Sequence, residues 1–181
     1  MSLDGPIWPS VLPRLDGSAL VPAVRSPTSS ASSGTDPVVV IYFDSSALVK
    51  LLVQEVGSDL AAELWDGCDA VVASRLAYPE VRAALAAAGR NHDLDSDGLA
   101  AAEQAWEEYW PATRPVELTW PVERHAGQLA AQYALRGADA VHLASALALS
   151  DPGLIIAAWD RRLRAGASAA GLAVAPGELG S

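Results

Sequence analysis

The first sustained apolar run along the chain is Val38–Phe43, an unbroken series of β-branched and aromatic residues. Continuous rather than alternating apolarity predicts a strand buried on both faces. Ala70–Ala73, Leu154–Ala158 and Leu172–Ala175 are shorter runs of the same kind, and Val116–Thr119 is a further candidate strand. Between them, apolar positions recur at helical spacing over Ser46–Gln54, Ser58–Trp65, Ser74 to about Ala88, Asp97–Tyr109, Val122–Arg136, Ala138–Leu149 and Arg161–Ala169. Ser74 suits the N-cap of the third helix, because its hydroxyl can accept from an orphan backbone N–H. Strands alternating with helices predict an α/β domain of three layers, with a short, mainly parallel central sheet covered on both faces.

This pattern begins only at Val38. Residues 1–37 hold six of the twelve prolines and the Ser-rich run Ser26–Gly34, so they are expected to form a flexible Pro/Ser-rich extension ahead of a domain spanning 38–181. Two readings of the extension stay open. It is a cloning or start-site artefact, with Val38-Val39-Val40 the natural beginning, or a tail that docks Ile7, Trp8, Val11 and Leu12.

Composition narrows the function classes. With 22 acidic and 12 basic side chains in 181 residues, the formal net charge is -10, which excludes a protein that coats nucleic acid with a basic surface. A hydrophobic content of 51% excludes a disordered chain. Cys68 is the sole cysteine, so there is no disulfide framework and no thiolate cluster for zinc or iron–sulfur. No apolar run approaches the ~18 residues of a membrane span. A soluble, cytoplasmic protein without membrane partners is expected.

Most carboxylates, such as Asp93, Asp95, Asp97, Glu103, Glu107 and Glu108, sit in or around a polar helix face. Four do not. Asp44 and Asp160 directly follow apolar strands, where ligands of parallel sheets bind; Glu80 and Asp139 lie in apolar helical settings. An acid among apolar neighbours is costly unless it is paired or binds a metal. Helix caps and stray ion pairs would account for such positions. So would convergence on a shared divalent cation, and hard oxygen donors without Cys or His clusters then point to Mg²⁺ or Mn²⁺.

The segments around these acids carry a resemblance. Ile41-Tyr42-Phe43-Asp44-Ser45-Ser46-Ala47-Leu48-Val49-Lys50-Leu51 resembles the opening motif of PIN-domain ribonucleases, especially the VapC-type toxins of type II toxin–antitoxin pairs. Ser74–Leu85, around Glu80, is similar to their second acidic motif, Leu135–Ala146, around Asp139, to the third, and Trp159–Leu163, around Asp160, to the fourth. Order and spacing agree over 38–176. Two positions depart from the pattern: Ala158 stands where a threonine or serine is common, and Pro79 precedes Glu80 inside the predicted helix.

The resemblance implies a PIN-like fold and a Mg²⁺- or Mn²⁺-dependent endoribonuclease, with Asp44, Glu80, Asp139 and Asp160 as catalytic, metal-holding residues. It also implies a product with a 5′-phosphate, a cognate antitoxin and a homodimer; transfer or ribosomal RNA would be the substrate. Among supporting residues, Ser46 is expected to bond a carboxylate or to cap a helix. His142, one turn after Asp139, is a ligand, a base or a structural imidazole. Lys50, Arg75, Arg82, Arg136, Arg161, Arg162 and Arg164 are candidates for phosphate contacts or for surface salt bridges, and Trp106, Trp110 and Trp120 for base stacking or core packing. The rival class is a catalytically silent PIN-like module that binds RNA or protein. A phosphoaspartate role for Asp44 would want a second aspartate at position 46, which is serine.

Overall fold

The structure, a computed structural model, describes residues 38–179; the expectations for residues 1–37 lie outside them. Five parallel strands form the sheet: β1 (Val40–Phe43), β2 (Ala70–Ser74), β3 (Arg114–Val116), β4 (Ile155–Ala157) and β5 (Ala173–Ala175), in the order β3-β2-β1-β4-β5. Seven helices connect and cover them among the described residues: α1 (Ser45–Val49), α2 (Ser58–Asp66), α3 (Ala77–Arg90), α4 (Ser96–Ala112), α5 (Trp120–Tyr133), α6 (Gly137–Leu147) and α7 (Arg161–Ala169).

The sheet separates two apolar cores, which is why its strands read as unbroken apolar runs. Ile41 and Phe43 of β1, Val71 and Ala73 of β2 and Ala157 of β4 pack with α1–α4. Tyr42, Val72 and Ile156 point to the other face, against α5–α7. On the first face, Trp65 meets Phe43 and Tyr109 edge to face, with centroids 5.7 and 4.9 Å apart, the arrangement aromatic quadrupoles favour. The chain leaves β1 towards β2 and β3, then returns past β1 to β4 and β5. The winding therefore reverses between β1 and β4, and their carboxyl ends flank the crevice that such a reversal opens.

Several boundaries differ from the expected ones for identifiable reasons. Val38 and Val39 are 69% and 40% exposed and precede β1. Ser74 ends β2 instead of capping a helix, and α3 begins at Ala77. Pro79 is thus the third residue of α3, in the first turn, where an N–H has no intrahelical partner to lose. The helix accepts it there. The expected helix Ser46–Gln54 stops at Val49, because the chain turns to seat Lys50. No helix among the described residues is long and apolar enough to cross a membrane.

Candidate active site

Asp44 follows β1 as the N-cap of α1, and Asp160 follows β4 as the N-cap of α7. Each thereby meets backbone N–H groups that the helix leaves without partners. Oδ1 of Asp44 accepts from Ala47 N at 2.9 Å and Ser46 Oγ at 2.7 Å. Oδ1 of Asp160 accepts from Arg162 N at 2.7 Å and Leu163 N at 3.0 Å. Ser46 joins the two ends: besides donating to Asp44, its hydroxyl accepts from Trp159 N at 2.8 Å. It is the second residue of α1, and the cap is Asp44. At Ala158, where the sequence departs from its resemblance, only backbone is engaged. Its N–H donates to Ala175 O, and its carbonyl accepts from Arg164 Nη1.

Glu80 and Asp139 reach the site from opposite faces of the sheet, each in the first turn of its helix, α3 and α6. Oε2 of Glu80 accepts from Ser45 Oγ at 2.6 Å and lies 2.7 Å from His142 Nε2. His142 is buried, and its Nδ1 lies 2.9 Å from the Tyr42 hydroxyl. Asp139 is half-buried, and its Oδ2 accepts from Arg136 N at 3.3 Å.

These groups feel one another's charge. Burial pushes the Asp44 carboxyl up to about 6, and the nearby Asp160 adds to it, while His142, the Ser46 hydroxyl and Ala47 N–H pull the other way. Asp139 is raised by burial and by Asp160. At Glu80 burial also opposes ionisation, but the hydrogen bond and charge of His142 outweigh it, with help from Ser45, and hold the carboxyl below its ordinary value. Burial likewise opposes a charge on His142, yet its bond to Glu80 and the charges of Glu80, Asp44 and Asp139 raise it.

The hydrogen bonds of each acid fall on one oxygen: Oδ1 of Asp44, Oε2 of Glu80, Oδ2 of Asp139 and Oδ1 of Asp160. The second oxygen of each is left to other donors or to a cation. Four hard oxygens with one imidazole among four negative charges fit a divalent ion of the Mg²⁺ or Mn²⁺ kind. As the side chains stand, however, no three His, Cys, Asp or Glu residues among those described converge closely enough to grip an ion. The donor chemistry fits; binding would have to draw the carboxylates closer together.

The remaining candidates separate clearly. Lys50 is buried: its Nζ donates to Glu55 Oε1 and to Val56 O, both at 2.8 Å, and lies 5.2 Å from the centre of the Trp159 ring. Two of the three Nζ–H donors of Lys50 are thus engaged within the protein. Arg75 pairs with Glu117, and Arg82 with Glu103 and Glu107 of α4. Arg164 straps the C-terminal segment through the carbonyls of Ala158, Pro176 and Gly177. Arg136, Arg161 and Arg162 are exposed, and among the described residues none has an ion pair at hydrogen-bonding range. Trp106 is core, Trp110 half-buried against it, and Trp120 68% exposed beside Arg124. Sequence reasoning assigned no role to Ser45 or Tyr42, which hold Glu80 and His142. The available signals were a hydroxyl next to Asp44 and a tyrosine in an otherwise wholly apolar strand.

Comparison with known proteins places these features in a lineage. The sequence pattern of the PIN domain matches residues 41–167. Two proteins of Mycobacterium tuberculosis, named Ribonuclease VapC45 and Ribonuclease VapC49, are each 69% identical over 140 residues, which is 77% of this chain and 97% of theirs. Among solved structures, FitAcB from Neisseria gonorrhoeae superposes with a TM-score of 0.56 at 21% identity, over 74% of this chain and 95% of that one. A toxin–antitoxin complex from Klebsiella pneumoniae gives 0.50 at 19% identity, over 66% and 86%. At such identities the structural likeness speaks for the fold.

Proposed function

The chain belongs to the PIN-domain family, in its VapC-type branch, and from that premise we propose that it is an endoribonuclease, the toxin of a toxin–antitoxin pair, working in the cytoplasm with Mg²⁺ or Mn²⁺. The observation that carries the reading is the placing of four motif acids about the carboxyl ends of β1 and β4, each with one oxygen held by the protein. Asp44, Glu80, Asp139 and Asp160 would hold the ion. What such an ion supplies is activation of water as a nucleophile and neutralisation of charge on the phosphate oxygens.

The chain's own residues do the rest. Asp44 and Asp160 are held at helix N-termini, so their free oxygens start from a fixed backbone frame. Ser46 ties that frame together across the β1–β4 gap. Arg161 and Arg162, exposed at the start of α7, are the basic side chains best placed to meet backbone phosphates next to Asp160. The net charge of -10 discourages nonspecific coating, so recognition rests on RNA shape and a few contacts. Transfer or ribosomal RNA, a cognate antitoxin and a homodimer follow from the family reading, with 38–181 as the working domain and 1–37 dispensable.

The test is cleavage of a structured RNA by the metal-stripped full chain. Activity restored by Mg²⁺ or Mn²⁺, with 5′-phosphate ends at a small number of mapped sites, is the expected result. A chain that stays silent with either ion at every concentration tried would overturn the reading.

A further inference from the structure

Glu80 is the one motif acid whose carboxylate takes no hydrogen bond from neighbouring backbone. Its holders come from 35 and 62 residues away in sequence: Ser45 next to Asp44, and His142 on α6. Behind His142 stands Tyr42, wholly buried in β1, whose hydroxyl accepts from Ser74 N at 3.1 Å and lies 2.9 Å from His142 Nδ1. The series runs from the end of β2 through β1 and α6 to α3, and so crosses the sheet from one core to the other.

The donor and acceptor logic of the series has one outcome at Glu80. Ser74 N–H can only donate, so the Tyr42 oxygen is its acceptor. In a neutral imidazole the ring hydrogen sits on Nε2, because the Glu80 carboxylate oxygen 2.7 Å away can only accept, and the phenolic hydrogen then goes to Nδ1. In an imidazolium both nitrogens carry hydrogen, and the phenol turns its own towards the Ser145 hydroxyl beside it, which is buried and has no other hydrogen-bond partner among the described residues. In either state Nε2–H donates to Oε2 of Glu80. Ser45 donates to the same oxygen. Oε1 is the oxygen left over.

We infer that Tyr42 and His142 are positioning residues, which together with Ser45 clamp Oε2 of Glu80 so that only Oε1 is offered to the metal and substrate side of the site. The inference deepens the function proposed above and adds residues to it. It explains why a histidine in an acidic centre is buried against a tyrosine, instead of standing among the carboxylates as a ligand. Partners of this kind behind a ligand shift metal affinity or activity by about 10–100-fold when removed.

The test uses the full chain and four variants: Tyr42→Phe, His142→Gln, His142→Leu and Glu80→Gln. Mn²⁺ affinity, measured by the free-ion electron paramagnetic resonance signal, should weaken about tenfold in Tyr42→Phe and more in His142→Leu. His142→Gln keeps an N–H for Glu80 and should recover part of the loss. In cleavage assays kcat should fall while KM stays within about twofold, and Tyr42→Phe should add nothing once Glu80 is already glutamine, because both changes act through one carboxylate. Long-range ¹⁵N–¹H spectra should show one well-defined His142 protonation pattern in the wild type and a mixture in Tyr42→Phe.

Unchanged Mn²⁺ affinity and His142 signals in Tyr42→Phe would overturn the inference. So would additive losses with Glu80→Gln, or losses that track a collapse of the circular dichroism melt. A wild-type chain that cleaves no RNA removes the proposed function but leaves the Mn²⁺ and spectral arms to decide the clamp. If Mn²⁺ does not bind either, the spectra decide it alone.

Discussion

The two halves of the acidic site are built by different means. Asp44 and Asp160 stand at strand ends and are held by N–H groups two or three residues further on. Glu80 is held by side chains from two other elements, and Asp139 by a single long bond from Arg136. The first half is set as soon as β1 and β4 run into their helices. The second exists only when α3 and α6 are docked on opposite faces of the sheet. A local cap tolerates distant changes, whereas a long-range clamp transmits them.

The largest test of that contrast is Asp44→Asn. It keeps an oxygen to cap α1 but loses the charge, so cleavage should fall by about 10³-fold, several kcal/mol of activation free energy, with the circular dichroism spectrum unchanged. Wild-type activity in that variant would remove Asp44 from the chemistry.

Stability against pH separates charge from capping. Folding raises the Asp44 carboxyl from 3.8 to about 6, so the native state favours its protonated form. The stability it contributes is complete below about pH 4 and is lost as pH rises through about 6. Without metal, Asp44→Asn and wild type should melt alike at pH 4, and at pH 7 the variant should be more stable by about 3 kcal/mol. Added Mg²⁺ should narrow the gap by stabilising wild type alone. Equal melting temperatures at both pH values would show that burial does not strain this carboxylate.

A smaller effect is expected at Gly57, which supports the Asp160 side from a distance. Its φ of +95° and a Cβ position 2.6 Å from Trp159 Nε1 leave no room for a side chain. Gly57→Ala should cost about 1–3 kcal/mol and displace Trp159, lowering the melting temperature by several degrees. It should also reduce cleavage through Asp160; a melt within a degree of wild type would show that the loop yields freely. The smallest effect concerns the surface. Arg161→Ala with Arg162→Ala should raise KM a few-fold and leave stability within about 0.5 kcal/mol, whereas Arg75→Ala should change neither, since exposed ion pairs contribute about 0–1 kcal/mol. Equal KM effects from both sets would undo the distinction between them.

How far the sequence could be read follows the same division. Four strands and all seven helices fall where local periodicity and flanking residues put them, α7 to the residue, whereas β3, expected over Val116–Thr119, lies at Arg114–Val116 and shares only Val116 with that range. The start of α3 was missed because Ser74 has the chemistry of a cap, and only pairing of β2 with β1 and β3 draws it into the sheet. Two of the four acids follow apolar strands and two lie in apolar helical settings, and the motif resemblance around each joins them into one candidate site. Lys50 neighbours the Asp44 motif in sequence, while its contacts in space are Glu55, Val56 and Trp159.

Apolar runs alternating with helical periods were enough to specify a parallel α/β sheet with two faces to cover, and the settings of Asp44, Glu80, Asp139 and Asp160, with the motif resemblance around each, singled them out as candidates. Those are properties of neighbouring residues, and a linear chain displays them. Which oxygen of each acid is spoken for, which cation is locked in an ion pair and which histidine holds which carboxylate were decided by the fold. Such contacts join residues a hundred or more positions apart, Tyr42 with His142 and Ser46 with Trp159 among them, and hydrogen bonds have a direction that only packed elements can set.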